Sequence, residues 1–338
     1  MKTVVICAII VVLVIIIMTC IFAVIYTKKV KELTGENNSR RDEPEEETGG
    51  ETDHERSIYA RMVPAELLPI LDVEDTADIS FEKQNEVDLV NMYVDCVGFS
   101  EMIHGMKTKD VFLFINRFLN GAVPKVTETG GIIEGFQKCG LVAVYWQNYE
   151  QAVVTAISIC EMAAELAVKM PQYQNITVGI HYENVFVGVV GNKERLSILA
   201  LSGEASGFSA WLHKMAKRYY SHILVTEHYL VMIEDYKKKF NLRLLGYVYM
   251  ENTNSMEKIY DIFDGDGKDM RNRKRQTRMV FEKGIKLFTE QKFEEARQHF
   301  IEVLKSDRYD LAAKEYVYRC EEYIKEKPES PIVYIEKY

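Results

Sequence analysis

The stretch GFQKCGLVAV, residues 135–144, sets two apolar runs around a short polar break containing glycine, the pattern of a β-hairpin. Cys139 falls at or beside its tip, where exposed side chains often carry chemistry, and Lys138 precedes it. A thiol there could serve nucleophilic or redox chemistry, and a neighbouring ammonium would slightly favour its thiolate. The sequence supplies no resolving cysteine beside it. The six cysteines (Cys7, Cys20, Cys96, Cys139, Cys160 and Cys320) are scattered without a C-x-x-C pair, so neither a disulfide framework nor a zinc site is indicated. His181, His213, His222 and His228 spread over predicted strands, a helix and a flank, which is not a metal spacing. DGDGKDM (264–270) hints at a calcium loop, but Asp269 stands where Gly is needed and Arg275 where Glu is needed. No Walker loop and no nucleophile elbow occurs.

The elements that must position these residues follow from composition and periodicity. The chain has 338 residues, 47% hydrophobic and 28% charged, with a net charge of −9, which supports a packed core and argues against general nucleic-acid binding. From Thr3 to Tyr26 there is no charge, and as a helix this run would span roughly 36 Å, enough to cross a bilayer. Lys28, Lys29 and Lys31 follow it, so a single-pass anchor with the C-terminal part cytoplasmic is expected, in a bacterial inner membrane. The acidic run 34–57, with Pro44, Gly49 and Gly50, reads as a disordered linker that an anionic leaflet would repel.

Beyond the linker, 87–100 reads as a buried strand. Residues 108–131 read as a helix with Thr108 as N-cap and an apolar face through Phe112, Ile115 and Leu119. The hairpin 132–146 is followed by a helix over 149–170 that Pro171 stops, then a strand pair within 176–191, a helix near 205–219 and a strand at 222–226. Strand–helix–hairpin–helix–strand is the βαββαβ order of a ferredoxin-like sheet. KDMRNRKRQTR (268–278) reads as a solvated basic linker that could alternatively touch anionic lipid or RNA. In GIKLFTEQKFEEARQHFIEVL, residues Gly284, Phe293, Ala296 and Phe300 have the spacing of one tetratricopeptide-type helical pair. A single repeat cannot bury its own faces, so it should pack on a helix at 312–324 or on the preceding domain.

Five ordered segments (RMVPAELLPIL with DISFEKQNEVDLVNMYVDCVGFS, TGGIIEGFQKCGLVAVYW, VGIHYENVFVGVVG and GEASGFSAWL) resemble the catalytic domain of class III adenylate/guanylate cyclases over about 61–263. The resemblance implies an α+β fold: a cyclase-type ferredoxin-like domain, here preceded by one transmembrane helix and followed by a small α-helical tail. The implied organisation is an anchor at 1–27, an acidic linker at 28–58, the cyclase-like domain at 59–265 and a basic linker at 266–278. A TPR-like tail at 279–326 and an extension at 327–338 complete it.

In that family two aspartates hold the metal ions that activate the ribose oxygen and neutralise the triphosphate. Their positions fall on Asp95, which is present, and Cys139, a soft and neutral replacement next to Lys138. The transition-state asparagine and arginine fall on Gly207 and Trp211, the two base readers on Gly135 and Ala200, and the phosphate-binding lysines on Leu245 and Tyr247, around Gly246. Each lost stabiliser costs on the order of 10²–10³ in rate. In a mixed dimer neither composite site would be complete. The sequence is thus expected to keep the scaffold and discard the chemistry, with no cofactor, and with Mg²⁺ or Mn²⁺ only if residual activity exists. The expected work is association, as a homodimer or with a cyclase-like protein, in cyclic-nucleotide or related signalling. Lipid contacts run through 3–26, and no nucleic-acid partner is expected. The alternatives are an active cyclase with unusual residues and a non-catalytic nucleotide sensor.

Overall fold

Along β1 (Gln84–Cys96), Val90, Met92 and Val94 are buried on one face, against the helices α1 (Thr108–Glu128) and α2 (Tyr149–Ala167). The alternate residues Asn91, Tyr93 and Asp95 take the other face, as the two-residue period of a strand requires. The computed structural model describes residues 66, 68–74, 84–192, 195–202, 207–326 and 334–338. The expected anchor (1–27) and acidic linker (28–58) lie outside the described residues, among which no helix is long and apolar enough to cross a membrane. The chain divides into two compact units, Met1–Gly50 and Glu51–Tyr338, and every described element belongs to the second.

The hairpin strands β2 (Ile132–Gln137) and β3 (Gly140–Tyr145) pair antiparallel, and β3 lies against β1. β4 (Ile176–Asn192) pairs with the other edge of β1, which gives the order β2–β3–β1–β4 expected of a βαββαβ unit. Segment 176–191 is not a strand pair. Its register against β1 runs unbroken from Gln84↔Gly188 to Cys96↔Ile176, so no turn interrupts it, and β5 (Arg195–Ser202) then folds back on its outer half. The sheet continues through β6 (Ile223–Thr226), β8 (Ser255–Ile262) and β7 (Leu242–Met250).

Helix α1 is rotated from the expected face: Phe114, Phe118, Ala122 and Val126 are its buried stripe, while Phe112 is 61% exposed. Its N-cap is Lys107, without a side-chain bond, so Thr108 is the first helical residue rather than the cap.

The other face of the sheet carries α3 (Phe208–Arg218) and the C-terminal helices α4 (Lys268–Thr289), α5 (Phe293–Ser306) and α6 (Leu311–Lys325). The stretch expected to be a solvated basic linker is therefore the first half of α4, and its Lys274 is wholly buried. Gly284 of α4 faces the Phe300 ring of α5, where an added Cβ would lie 2.8 Å away, and Phe300 stacks on Tyr316 of α6 at 4.6 Å. The helices pack both on one another and on the body: Phe281, Phe288 and Tyr316 share one apolar cluster with Leu212 and Val248. Residues expected as a bare extension add a short parallel strand, β9 (Glu336–Lys337), to the edge of β7.

Charge fixes this docking. Lys274 Nζ lies 2.7 Å from both Asp261 Oδ2 and Asp266 Oδ2, all with fully buried side chains. Arg243 of β7 reaches Asp310, the N-cap of α6, at 2.5 Å and Asp261 at 3.5 Å. Burial alone would push the Asp266 carboxyl up, but Lys274 and His222 outweigh it and hold it below the usual carboxylate range. Removing the cation strands two buried carboxylates, so Lys274→Met should lower unfolding free energy by about 3–5 kcal/mol in urea titrations. A loss below about 1 kcal/mol would show that the cluster does not hold the tail. Because the folded pKa of Asp266 is depressed, its contribution is complete above roughly pH 4 and disappears as pH falls through the folded value. Acid unfolding of the wild type below that point should be blunted in Asp266→Asn.

Candidate functional site

Cys139 is not presented at an exposed tip. Lys138 occupies a left-handed conformation (φ 47°) that turns the hairpin, and the next residue is driven inward, where Cys139 is completely buried. Gly140 makes this possible: an added Cβ there would lie 1.8 Å from the Val94 carbonyl oxygen, so only glycine lets β3 approach β1 this closely.

The result brings the two expected metal positions together. The Cys139 thiol donates to Asp95 Oδ1 at 3.0 Å, and the same oxygen accepts the Cys96 amide N–H at 2.8 Å. Burial raises the Asp95 pKa, while these two hydrogen bonds and Lys138 pull it partly back. The Cys139 thiol is pushed far up, first by its contact with Cys96, then by burial and by the Asp95 charge. It therefore stays protonated as a donor to the carboxylate, which is the opposite of what a metal requires. A hard divalent cation wants two or more oxygen anions. Here it would meet one carboxylate already engaged at Oδ1, a protonated thiol and the Lys138 ammonium. These residues do not fit Mg²⁺ or Mn²⁺, and among the described residues no cluster of three His, Cys, Asp or Glu side chains could hold a metal.

Two residues along the same face of β1, a groove of about 190 Å³ opens beside Tyr93 and Asn91, bounded by Glu134, Glu183, Gly207 and Ser209. Its described lining includes the two carboxylates Glu134 and Glu183 and neither Lys nor Arg. Asn91 is already engaged, since Ser209 Oγ donates to its Oδ1 at 2.7 Å. Gly207 sits at the N-terminus of α3 with φ 104°, a backbone that glycine adopts freely, and it offers no side chain to the groove. Trp211, one turn on, packs beside Phe208 at 5.4 Å and Tyr338 at 5.5 Å between ring centroids. Gly135 lies at a bulge of β2 with open space where a side chain would be, and Ala200 is paired with Val187 in the β4–β5 ladder.

Leu245 and Tyr247 are not among the residues that line that groove. Leu245 is 1% exposed, and its carbonyl accepts the Tyr316 hydroxyl of α6 at 2.7 Å. A Cβ on Gly246 would lie 2.2 Å from that hydroxyl, and the Tyr247 carbonyl accepts from the Ile335 amide at 2.7 Å. That a single helical repeat must cover its faces points to packing on the preceding domain, but not to the backbone groups of β7 that the tail meets.

The remaining candidates are structural. His181 bonds Thr226 at 3.0 Å, and burial with His228 nearby pushes its pKa down to about 3. His213 bonds Thr177 at 2.8 Å, and burial lowers it to about 4.

No model of a known protein family matches the chain. It is 24% identical over 279 residues to the terminal-differentiation specific adenylate cyclase of Dictyostelium discoideum, covering 80% of this chain and 13% of that protein. An adenylate cyclase of Anabaena cylindrica is 21% identical over 196 residues, 55% of this chain and 39% of the relative. The chain thus spans well under half the length of these curated relatives. Among solved structures, a bacterial light-regulated adenylyl cyclase superposes with a TM-score of 0.53 at 15% identity, over 66% of each chain. The described body has the mixed α+β fold found in that cyclase structure, and the chain is similar in sequence to adenylate cyclases, which supports the class III cyclase domain family.

Proposed function

We propose that this chain is a catalytically degenerate, membrane-anchored cyclase homologue whose work is association rather than turnover. The observation that carries the reading is the Cys139–Asp95 hydrogen bond, which stands where the resemblance implies a metal-binding carboxylate pair. The absent side chain at Gly207 supports it. On this reading the chain pairs with itself or with a cyclase-like protein, the anchor at 3–26 holds it to the membrane with the folded part cytoplasmic, and the TPR-like tail braces the domain. Neither role in a mixed dimer is complete here. As donor of the metal half the chain brings one carboxylate, and as donor of the other half it brings Gly207 and Trp211.

Residues 51–338, which contain every described element of the folded unit, should release no cyclic product from ATP or GTP with Mn²⁺. Product that disappears in Asp95→Ala would overturn the reading. Restoring the acid alone should not rescue activity: Cys139→Asp places a second buried carboxyl against Asp95 and should cost on the order of 1–3 kcal/mol in stability while the assay stays blank. In sedimentation equilibrium at tens of micromolar, roughly where weak interfaces show, a concentration-dependent dimer is expected, and a strict monomer would count against association.

A buried thiol with a strongly raised pKa should also be inert. Cys139 in the folded protein should alkylate far more slowly than in urea, at neutral pH and at pH 9 alike. Fast labelling of the native state would instead favour a redox role.

A further inference from the structure

Away from the groove, a cavity of about 600 Å³ opens between α2, the turn before β6 and the first turns of α4, so that body and tail each supply a wall. Its floor is apolar: Ala163 and Ala167 of α2 and Ile176 lie on the body side, Met270 and Leu311 on the tail side. Its rim is cationic. Lys217 has one polar partner, the neutral Asn175 side-chain oxygen at 2.7 Å, and Lys268 makes no ion pair among the described residues. Arg273 also lines the cavity, although it shares its charge with Asp307 at 3.1 Å. Asp269 is the one carboxylate of the described lining. The start of α4 adds the positive end of a 22-residue helix. The basic stretch 268–278 thus acquires a place: its first residues face a cavity rather than bulk solvent.

We propose that this cavity binds an organic anion with an apolar body, of the fatty carboxylate or alkyl phosphate class. The two ammonium groups, without an ion pair among the described residues, attract the head, and the apolar part of the lining accepts the chain. A small inorganic anion would leave the floor uncovered, and a cationic amphiphile would meet the wrong charge. Because Lys217 belongs to the body and Lys268 to the tail, a bound ligand bridges them and stabilises the joint, so it should also raise the melting temperature.

Calorimetric titration of residues 51–338 with dodecanoate, kept below its micelle concentration, tests this. Dodecyl phosphate, dodecyltrimethylammonium, acetate and inorganic phosphate form the comparison arms. Saturable one-to-one binding of dodecanoate or dodecyl phosphate is expected, and the tighter of the two identifies the head group. Both lysines are exposed and make no ion pair among the described residues, so Lys217→Glu with Lys268→Glu should keep the fold, checked by circular dichroism, and weaken binding by about tenfold or more. Ala164→Trp, at an exposed position of the lining, should block the floor with the charges intact. Absence of saturable binding, unchanged affinity in these variants, or equal binding of the trimethylammonium compound would overturn the proposal. Phosphate or acetate alone binding as tightly would overturn the apolar half of it.

Discussion

The rest of the structure depends on a chain of charges with no access to water. Lys274 stands between Asp261 and Asp266, and Arg243 between Asp261 and Asp310. Isolated, any one of these groups would be intolerable in an apolar interior, so each must be matched by the others. The matching is strict in space: Arg243 and Asp261 come from neighbouring strands, Lys274 from α4 and Asp310 from the cap of α6. Ser221 donates to Asp261 at 2.6 Å and His222 meets Asp266 at 2.7 Å, which draws the approach to β6 into the same arrangement. A helical tail held only by apolar contacts could slide by a turn. One whose cation must meet two carboxylates has a single seat.

That seat decides what the far half of the sheet can do. With α6 fixed by Asp310, Tyr316 is delivered to the Leu245 carbonyl, and the following segment adds β9 along β7. Tyr338 then reaches Phe208 at 4.6 Å and Trp211 at 5.5 Å between ring centroids. The resemblance implies lysines at Leu245 and Tyr247 and an arginine at Trp211. In this chain all three side chains instead belong to, or pack against, one apolar cluster with the tail. A lysine at the buried Leu245 position would need a partner for its charge. On the proposed reading, tail docking occupies the surface that the resemblance assigns to phosphate binding, and the residue types present are those that docking favours.

Much of this was legible in the residues, and what was not has physical reasons. The βαββαβ order could be read because its strands are apolar and punctuated by glycine-bearing breaks, whereas the site positions follow only from the resemblance. The span 176–191 was misread because Glu183 and Asn184 interrupt the apolar pattern, as a turn would. In fact β1 supplies a partner along the whole length from Ile176 to Gly188; Glu183 lies on the groove face, and Asn184, on the other, donates to Asp88 Oδ1 at 3.0 Å. Helix α1 was read with the wrong centre because Phe112 and Phe114 are equally apolar, and only the position of the sheet chooses between them. The basic stretch was read as solvated because nothing local reveals that Asp261 and Asp266 wait for Lys274. Charge pairing between distant segments has no periodicity, so it leaves no mark on a single sequence.

The hairpin poses the same question of compensation in a smaller space. Two carboxylates this close to one another, and this deeply placed, repel unless cations sit between them or one takes up a proton. A chain that binds divalent metals tolerates the pair because the ions supply the missing charge. Without metal, the same pair would be a standing strain on the strand end and on the close β3–β1 approach that Gly140 permits. Cys139 removes that strain directly. It is small enough for the closed hairpin, it is neutral at the pH of the cell, and its S–H gives Asp95 the hydrogen bond that an ion would otherwise replace. On the proposed reading, a thiol in place of an acid favours the metal-free fold at the expense of a metal-bound one, the trade expected where stability is retained and turnover is not.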